Sequence, residues 1–254
     1  MDEAHTQTTP LADQVVLITG AARRVGAAIA RKLHAAGAQV VVHYHRSAEA
    51  AHKLAAELNA ERPSSVTTLG GNLLDLKVLD SLVEATVARH GHLDILINNA
   101  STFYPTPVGT ITPAHWDDLL GTNLRAPLFL SQAAAPYLRE RRGLILNIAD
   151  IHGIRPLRRF TVYSPAKAGL IMLTQSLARE LAPEVRVNAI APGPVEFPET
   201  GLTDQMKQEI IDKTLLKRRG AADDVARAAL FFASEAPYVT GQILAVDGGR
   251  SASA

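Results

Sequence analysis

The chain contains no cysteine, which excludes disulfide bonds, thiolate catalysis and zinc–thiolate sites. The chain also lacks an excess of charge of one sign, because its 26 basic and 25 acidic side chains leave a formal net charge of +1. Proteins that bind nucleic acids or membrane surfaces usually carry a basic excess, so we expect neither partner. Apolar side chains, by contrast, make up 47% of the 254 residues, which suffices for a buried core.

Long hydrophobic runs are missing as well, since no stretch approaches the roughly 20 apolar residues of a membrane-spanning helix. Residues 1–10 are polar and lack the basic and apolar regions of a signal peptide. We therefore predict a flexible tail over residues 1–13 and a cytoplasmic enzyme that acts on small molecules. No repeat, low-complexity segment or Pro/Gly-rich linker divides the rest, which predicts one domain over residues 14–254.

Short β-branched runs alternate with longer helical patterns almost to the end of the chain. The runs are nearly continuous in apolar character, as is typical of strands covered on both faces. The predicted strands are Val15–Thr19, Gln39–His43, Ser65–Leu69, Leu93–Ile97, Leu144–Ile148, Val185–Ile190 and Gln242–Val246. The predicted helices are Val25–Ala36, Ala48–Asn59, Val78–His90, Arg125–Arg139, Tyr163–Leu181 and Asp223–Ala233. This alternation predicts an α/β fold, a Rossmann-type doubly wound parallel sheet of about seven strands with helices on both faces.

One segment, residues 194–217, interrupts the alternation. It follows Pro192 and Gly193 and becomes charged without any strand pattern. In a doubly wound fold, a long excursion after the carboxyl end of a strand lies beside the ligand crevice. We therefore predict a substrate loop here, with an ordinary surface loop that contains a helix as the alternative.

A glycine-containing turn joins the first strand to the first helix. Gly20 permits a tight turn, and Gly26 lets the helix pack closely on the strand. The helix N-terminus, at Arg24 and Val25, offers N–H groups and a partial positive charge to a pyrophosphate. The arginine adds charge near phosphate or ribose, with a merely solvated side chain as the alternative. The turn therefore predicts a dinucleotide site.

The end of the second strand indicates which dinucleotide binds. NAD enzymes place a carboxylate there to accept both ribose hydroxyls, whereas this chain has His45, Arg46 and Ser47, and no carboxylate before Glu49. Arg46 and Ser47 can hold a 2′-phosphate by charge-assisted hydrogen bonds. The sequence therefore predicts NADPH/NADP⁺ as the cofactor. His43 and His45 are assigned to packing or cofactor lining, and no metal site is predicted.

Tyr163 and Lys167 are spaced i, i+4 and therefore lie on one face of a helix. An ammonium close to a phenol favours the phenolate, so we expect Lys167 to lower the pKa of Tyr163 from about 10. Such a tyrosine can give or take a proton near neutrality, while the lysine can bond the nicotinamide ribose. The pair predicts an oxidoreductase in which a proton follows a hydride.

In their order along residues 14–250, these motifs resemble the short-chain dehydrogenase/reductase superfamily. They are the Thr-Gly-x-x-x-Gly-x-Gly turn, with Arg24 at the middle glycine, Asn-Asn-Ala over residues 98–100, and Tyr-x-x-x-Lys. The resemblance implies that Asn123 helps to hold a proton-relay water. It also implies further cofactor contacts, from Asn72, Leu73, Asn99, Ala100, Ser101, Pro192 and Gly193.

The usual catalytic serine of that superfamily, thirteen positions before the tyrosine, is replaced by Asp150. An ionised carboxylate cannot donate to a ketone oxygen and repels the negative charge that develops there. Asp150 therefore suits a substrate that presents N–H groups or needs a proton at a ring nitrogen. Phe103, after the fourth predicted strand, could stack a flat heterocycle, with a simple loop anchor as the alternative.

Together these residues resemble the pteridine reductase branch. The resemblance rests on Arg24, His-Tyr-His-Arg-Ser over residues 43–47, Asn-Asn-Ala-Ser-x-Phe-Tyr-Pro-Thr-Pro over residues 98–107, and Asp150. It implies NADPH-dependent reduction of a dihydropterin to its tetrahydro form, with oxidised pterin and dihydrofolate as further substrates. It also implies substrate contacts from Arg24, Phe103, Asp150, Tyr163 and Gly193.

The same resemblance implies a homotetramer built on helices around residues 125–139 and 163–181 and on the C-terminal segment. Two alternative functions stay open from the sequence. One is a carbonyl reductase of the same superfamily, and the other is a non-catalytic NADP(H)-binding sensor.

Overall fold

The computed structural model describes residues 9–197 and 202–253, which form one parallel sheet of seven strands. The strands are β1 Val15–Ile18, β2 Gln39–Tyr44, β3 Val66–Gly70, β4 Ile95–Asn98, β5 Leu144–Ile148, β6 Arg186–Pro192 and β7 Ile243–Val246. The helices are α1 Arg24–Ala35, α2 Ala48–Glu61, α3 Leu76–His90, α4 Pro113–Leu120, α5 Ala126–Arg141, α6 Tyr163–Leu181, α7 Asp204–Asp212 and α8 Ala222–Ser234. Every predicted strand and helix is present, with ends within two residues of those predicted, which confirms the Rossmann-type fold.

Helices cover both faces of the sheet because its strands are apolar on both sides. Along β1, Val16 and Ile18 enter a buried cluster with side chains of α1, α2 and α8. The alternate residues, Val15 and Leu17, enter a second cluster with side chains of α3, α5 and α6. Successive side chains of a strand point to opposite faces, so the continuous apolar run of β1 fills both layers of the core.

The winding of the chain reverses between β1 and β4. The order β3-β2-β1-β4-β5-β6-β7 places β2 and β4 on opposite sides of β1, with Ile18 opposite both Val42 and Ile97. Ligands of a doubly wound sheet bind beyond the carboxyl ends of the strands at such a reversal. The turn after β1 and the loop after β4 therefore border the crevice.

Two helices lie outside the predicted elements. α4 has clear start signals, since Pro113 occupies its first turn and the hydroxyl of Thr112 caps it, and it continues through a π-helical turn, Gly121–Arg125, into α5. α7 lies within the predicted substrate loop and is capped by Thr203. None of the residues of α7 is buried, so this helix adds nothing to the core.

The predicted N-terminal tail extends too far. Its residues 1–8 lie outside the described part of the chain, but Leu11 is fully buried and its N–H donates to the backbone oxygen of Ala36 at 2.9 Å. Residues 9–13 therefore pack beside the end of α1, because Leu11 contributes to the core. In the part of the chain that the structure describes, no helix has the length and apolar character needed to cross a membrane.

Candidate active site

The turn after β1 is held against the loop after β4 by a set of hydrogen bonds. The side-chain amide of Asn99 donates to the backbone oxygens of Thr19 and Gly20, at 2.8 and 3.0 Å. The hydroxyl of Thr19 in turn accepts the N–H groups of Asn99 and Ala100, both at 3.0 Å. Gly20 has φ of +61°, and a Cβ there would lie 2.9 Å from the Cα of Ala100. Only glycine satisfies both conditions, so the turn depends on it.

Gly26 brings α1 down onto this turn. A Cβ at Gly26 would lie 2.5 Å from the backbone oxygen of Gly20 and 2.5 Å from the amide nitrogen of Asn99. The close approach places the N-terminus of α1 at the carboxyl edge of the sheet, where its N–H groups can receive a phosphate. Val25, the next predicted cofactor residue, is half-buried against the core.

Arg24 has φ of +54°, which accounts for the preference for glycine at this position in the superfamily. Its Nε forms an ion pair with Oε2 of Glu196 at 2.7 Å, and Nη2 reaches the backbone oxygens of Glu196 and Phe197 at 3.4 and 3.5 Å. Arg24 therefore ties the turn after β1 to the segment after β6. Sequence reasoning missed Glu196, because this partner lies 172 residues away.

The residues predicted to select the cofactor lie where β2 meets α2. His45 and Arg46 are exposed, and Ser47 is the residue before α2, whose N-terminus its side chain does not cap. Asn72, after β3, is exposed, whereas the side chain of Leu73 is buried in the core, so only its backbone could face a cofactor. A guanidinium, a hydroxyl and a helix N-terminus together suit a 2′-phosphate.

Tyr163 and Asp150 come together at the carboxyl end of β5. The hydroxyl of Tyr163 donates to Oδ2 of Asp150 at 2.7 Å, and Oδ1 accepts the N–H of His152 at 2.7 Å. The second bond caps a short 3-10 turn, Ile151–Gly153, and thereby fixes the orientation of the carboxylate. Because Tyr163 is only 4% exposed, its hydroxyl and the carboxylate meet in a largely desolvated place.

Lys167 lies one turn further along α6 and is 2% exposed. Its Nζ donates to the backbone oxygen of Ile148 at 2.9 Å and lies 5.8 Å from the centre of the Tyr163 ring. Burial lowers the pKa of Lys167 to about 8, although the charge of Asp150 raises it in part. Lys167 therefore loses its proton at a pH much closer to neutral than an ordinary lysine does.

The expectation that Lys167 lowers the pKa of Tyr163 is wrong. The pKa of Tyr163 lies well above its ordinary value, first because the phenol is buried and then because of the charge and hydrogen bond of Asp150. A hydrogen bond with Ser101 acts in the lowering direction. The carboxylate outweighs the ammonium because it accepts a hydrogen bond from the hydroxyl, whereas Nζ of Lys167 bonds the backbone oxygen of Ile148. In this structure the phenol keeps its proton and shares it with Asp150.

Asn123 sits in the π-helical turn and is fully buried. Its amide nitrogen donates to the backbone oxygens of Thr102 and Leu119, at 3.0 and 2.9 Å, and its oxygen accepts the hydroxyl of Ser101 at 2.6 Å. Ser101, predicted as a cofactor residue, therefore lies between Asn123 and Tyr163. These bonds fix the amide, and its role toward a relay water stays a prediction.

An aromatic cluster flanks the catalytic tyrosine. Phe103 stacks on Phe160 with ring centres 4.5 Å apart and planes 17° apart, and it meets the ring of Tyr163 edge-on at 4.8 Å. Phe103 is nevertheless 45% exposed, so much of its surface is open to another molecule. Phe160 was missed from the sequence because it lies before α6 and is brought to the site by its bridge with Thr106, a contact that no local spacing shows.

Pro192 is the last residue of β6, and Gly193 follows it beside the segment after β7. The N–H of Gly193 donates to the backbone oxygen of Val246 at 3.0 Å, and a Cβ at Gly193 would lie 2.6 Å from that of Asp247. A cavity of about 470 Å³ opens here, lined by residues of the predicted substrate loop, by residues 245–249 and by Arg218, Gly220 and Asp224. Tyr163 and Asp150 do not line it.

Comparisons with known proteins place this site in a family. A family model described as enoyl-(acyl carrier protein) reductase matches residues 20–251. Pteridine reductase 1 of Leishmania tarentolae is 37% identical over 96% of this chain and 98% of its own. The 3-oxoacyl-[acyl-carrier-protein] reductase FabG of Staphylococcus aureus is 35% identical over 92% of this chain and 96% of its own.

A solved structure, a blue fluorescent protein from a metagenomic library in complex with NADPH, matches with a TM-score of 0.90 at 31% identity. The match covers 95% of this chain and 99% of that chain. The chain therefore belongs to the short-chain dehydrogenase/reductase superfamily. Its activity is that of an NADPH-dependent reductase, which confirms the predicted cofactor and the predicted class of enzyme.

Proposed function

We propose that this reductase converts a dihydropterin to its tetrahydro form, with oxidised pterin and dihydrofolate as further substrates. The observation that carries the proposal is the 2.7 Å hydrogen bond from the hydroxyl of Tyr163 to the carboxylate of Asp150. A hydroxyl at position 150 would donate to a ketone oxygen, whereas a carboxylate there offers an acceptor for ring N–H groups. Similarity to a pteridine reductase along 96% of the chain supports the same substrate class.

The proton chemistry follows from the pair. Reduction of the ring C=N bond needs a hydride at carbon and a proton at nitrogen, and bound NADPH supplies the hydride. Tyr163 and Asp150 hold one proton between two oxygens 2.7 Å apart, in the range of a short charge-assisted hydrogen bond. Because the pKa of Tyr163 is raised, the phenol would keep this proton until hydride addition at the ring carbon makes the adjoining nitrogen the stronger base. Lys167 would hold a positive charge next to the phenolate that is left.

The remaining predicted contacts are parts of the same proposal. The glycine turn with Arg24 and the N-terminus of α1 would hold the pyrophosphate, and Arg46 with Ser47 would hold the 2′-phosphate. The exposed face of Phe103 would stack the pterin, beside the segment after β6 that begins at Gly193. Arg46→Asp tests the cofactor part, because a carboxylate there repels the 2′-phosphate. We expect the KM for NADPH to rise at least tenfold while that for NADH falls, and an unchanged preference would contradict the assignment.

The substrate loop and the tetramer are also proposed. Residues 198–201 of the loop lie outside the described residues, and four of its other residues, Pro194, Val195, Leu215 and Leu216, line the 470 Å³ cavity, which supports the proposal. On the helices assigned to the tetramer, Leu128 and Met172 are 37% and 61% exposed, and an interface would cover them. Sedimentation should show one species of four 27.2 kDa chains, and a monomer would contradict this. The cytoplasmic location stays a prediction of the sequence.

The substrate class is tested by following NADPH oxidation with dihydrobiopterin, dihydromonapterin, dihydrofolate and oxidised pterins, alongside simple ketones. Wild type should reduce at least one pterin, and Asp150→Ser should lose most of that turnover because the acceptor for ring N–H groups is gone. The matched control is Asp118→Ser, which also replaces an aspartate bonded to a tyrosine hydroxyl. Turnover of ketones with none of the pterins would show that the pteridine assignment is wrong.

A second candidate is reduction of a 3-oxoacyl thioester. It is favoured by the reductase FabG of Staphylococcus aureus, whose identity of 35% is close to that of the pteridine reductase. Asp150 opposes it, because a carboxylate repels a developing alkoxide. Including an acetoacetyl thioester among the substrates separates the two candidates: under this alternative, it turns over and Asp150→Ser increases its rate.

A further inference from the structure

The imidazole of His43 joins three neighbouring strands where they end at the crevice. His43 lies near the carboxyl end of β2, between β1 and β3 in the sheet, and is 1% exposed. Its Nδ1 lies 3.2 Å from the backbone nitrogen of Gly20, in the turn after β1. Its Nε2 lies 3.1 Å from the backbone oxygen of Gly71, in the loop after β3.

These two partners fix the protonation of the ring. A backbone N–H can only donate, so Nδ1 is the acceptor from Gly20, and a carbonyl oxygen can only accept, so Nε2 carries the proton for Gly71. The ring is therefore neutral in a single tautomer. Its burial agrees, since it lowers the pKa of His43 to about 4. The backbone oxygen of His43 also accepts the N–H of Ala21 at 2.9 Å, so two successive residues of the turn bond this one residue.

We propose that His43 is a positioning residue for the adenosine half of NADPH. It does not touch the cofactor in this proposal but sets the distance between two walls of the site. One wall is the glycine turn at Gly20, and the other is the loop in which Asn72 follows Gly71. Arg46 and Ser47 continue from the same strand end. The inference rests on the proposed placement of the cofactor and is independent of the pterin substrate.

Three substitutions separate the two bonds. His43→Asn can place an oxygen near the position of Nδ1 and keep the bond to Gly20, while His43→Gln can place an N–H near that of Nε2 and keep the bond to Gly71. His43→Leu loses both. We expect the Kd for adenosine 2′,5′-bisphosphate to rise roughly tenfold in the leucine variant and about threefold in each of the others. The KM for NADPH should rise in parallel while kcat at saturating NADPH stays within twofold.

His34 is the matched control. It is also a buried histidine, 4% exposed, but its Nε2 pairs with the hydroxyl of Ser65 at the opposite, amino edge of the sheet. His34→Leu should lower the melting temperature and leave the Kd for the bisphosphate unchanged. A rise in Kd equal to that of His43→Leu would show that any loss of buried histidine weakens the site, and would overturn the proposal.

The outcomes distinguish this proposal from the one on which it rests. If wild type fails to bind adenosine 2′,5′-bisphosphate, the placement of the cofactor and the role of His43 are both wrong. If wild type binds it and the His43 variants bind equally well, only the role of His43 is wrong. Should the leucine variant fail to fold, unchanged Kd values in both the asparagine and glutamine variants would overturn the proposal.

Discussion

Two tyrosines in this molecule donate their hydroxyl to an aspartate, in two neighbouring regions. Tyr163 donates to Asp150 at 2.7 Å at the end of β5, and Tyr104 donates to Asp118 of α4 at 2.9 Å. Both phenols have a raised pKa for the same reasons, burial first and then the bonded carboxylate. For Tyr104 these causes raise the pKa to about 12.

The surroundings of the two pairs differ. Lys167 lies 5.8 Å from the centre of the Tyr163 ring, whereas in the described residues the Tyr104 ring has no ammonium over it and meets His115 at 5.9 Å. Asp150 follows a central strand at the crevice, while Asp118 belongs to a peripheral helix. A tyrosine–aspartate hydrogen bond is therefore not a catalytic signature by itself. Position at the sheet edge and a buried ammonium distinguish the pair that we assign to proton transfer.

The two pairs should differ most in how far kcat falls when the tyrosine hydroxyl of each pair is removed. Tyr163→Phe removes the proton donor and should lower kcat about 100- to 10,000-fold, the usual contribution of general acid catalysis. Tyr104→Phe removes a hydroxyl with the same kind of partner and should leave kcat within twofold. Steady-state rates of NADPH oxidation measure both. Equal losses in the two variants would remove the distinction between the pairs.

A charge substitution should separate the pairs by pH. The charge of Asp150 raises the pKa of both Tyr163 and Lys167, so Asp150→Asn should lower both. Activity requires the protonated forms and falls as pH rises through the lower pKa, that of Lys167, at about 8. The alkaline limb of the kcat profile should therefore move to lower pH in Asp150→Asn, with kcat at least tenfold lower at the optimum.

Asp118→Asn provides the control for this profile, because its carboxylate bonds the other tyrosine. Its alkaline limb should coincide with that of wild type. An alkaline limb that stays in place or moves to higher pH in Asp150→Asn would contradict the electrostatic coupling of the catalytic pair.

The fold could be predicted from the sequence because it depends on local patterns. Apolar runs such as Leu144–Ile148 identify strands, and their alternation with helical patterns leaves few topologies. α7 was given no bounds because its nine residues lie in a charged segment and none of them is buried. Leu11 was assigned to a tail because a single apolar residue in a polar segment carries no period.

The site could be predicted only as far as family motifs and local spacing reach. The i, i+4 spacing places Tyr163 and Lys167 on one helical face, but it does not say that the hydroxyl bonds Asp150 while the ammonium bonds the backbone oxygen of Ile148. The direction of the pKa shift of Tyr163 depends on its burial and on that tertiary contact. The ion pair of Arg24 with Glu196 likewise joins the turn after β1 to the segment after β6. The two residues are 172 positions apart in the sequence, so no local pattern encodes this contact.

A stability measurement should reveal the free-energy cost of burying the ammonium of Lys167. In the described residues the Tyr104 ring has no ammonium over it, so that region carries no such cost. The pKa of Lys167 is about 8 in the fold against 10.5 for an ordinary lysine, so the unfolded chain binds the proton more tightly. Folding therefore loses about 3 kcal/mol below pH 8, and this penalty disappears as pH rises to 10.5. Lys167→Met avoids the penalty but loses the bond to Ile148, worth about 1 kcal/mol.

We expect Lys167→Met to be more stable than wild type by about 1–3 kcal/mol at pH 7, with an advantage that shrinks between pH 8 and 10.5. Urea unfolding at several pH values measures this. Lys77→Met, at an exposed position, should show no comparable gain. A Lys167→Met variant less stable than wild type at pH 7 would mean that the ammonium stabilises the fold.

The smallest expected effect concerns the Tyr104 pair alone. Asp118→Asn removes the carboxylate charge but leaves the burial that contributes most to the raised pKa. The pKa of Tyr104 should therefore fall from about 12 but stay above 10, as seen by ultraviolet titration of phenol ionisation in wild type and variant. The free energy of unfolding should change by less than about 1 kcal/mol, because the pair is half-buried and solvent screens it. A pKa that stays at about 12 would assign the whole shift to burial, and the two pairs would then differ in electrostatics as well as in position.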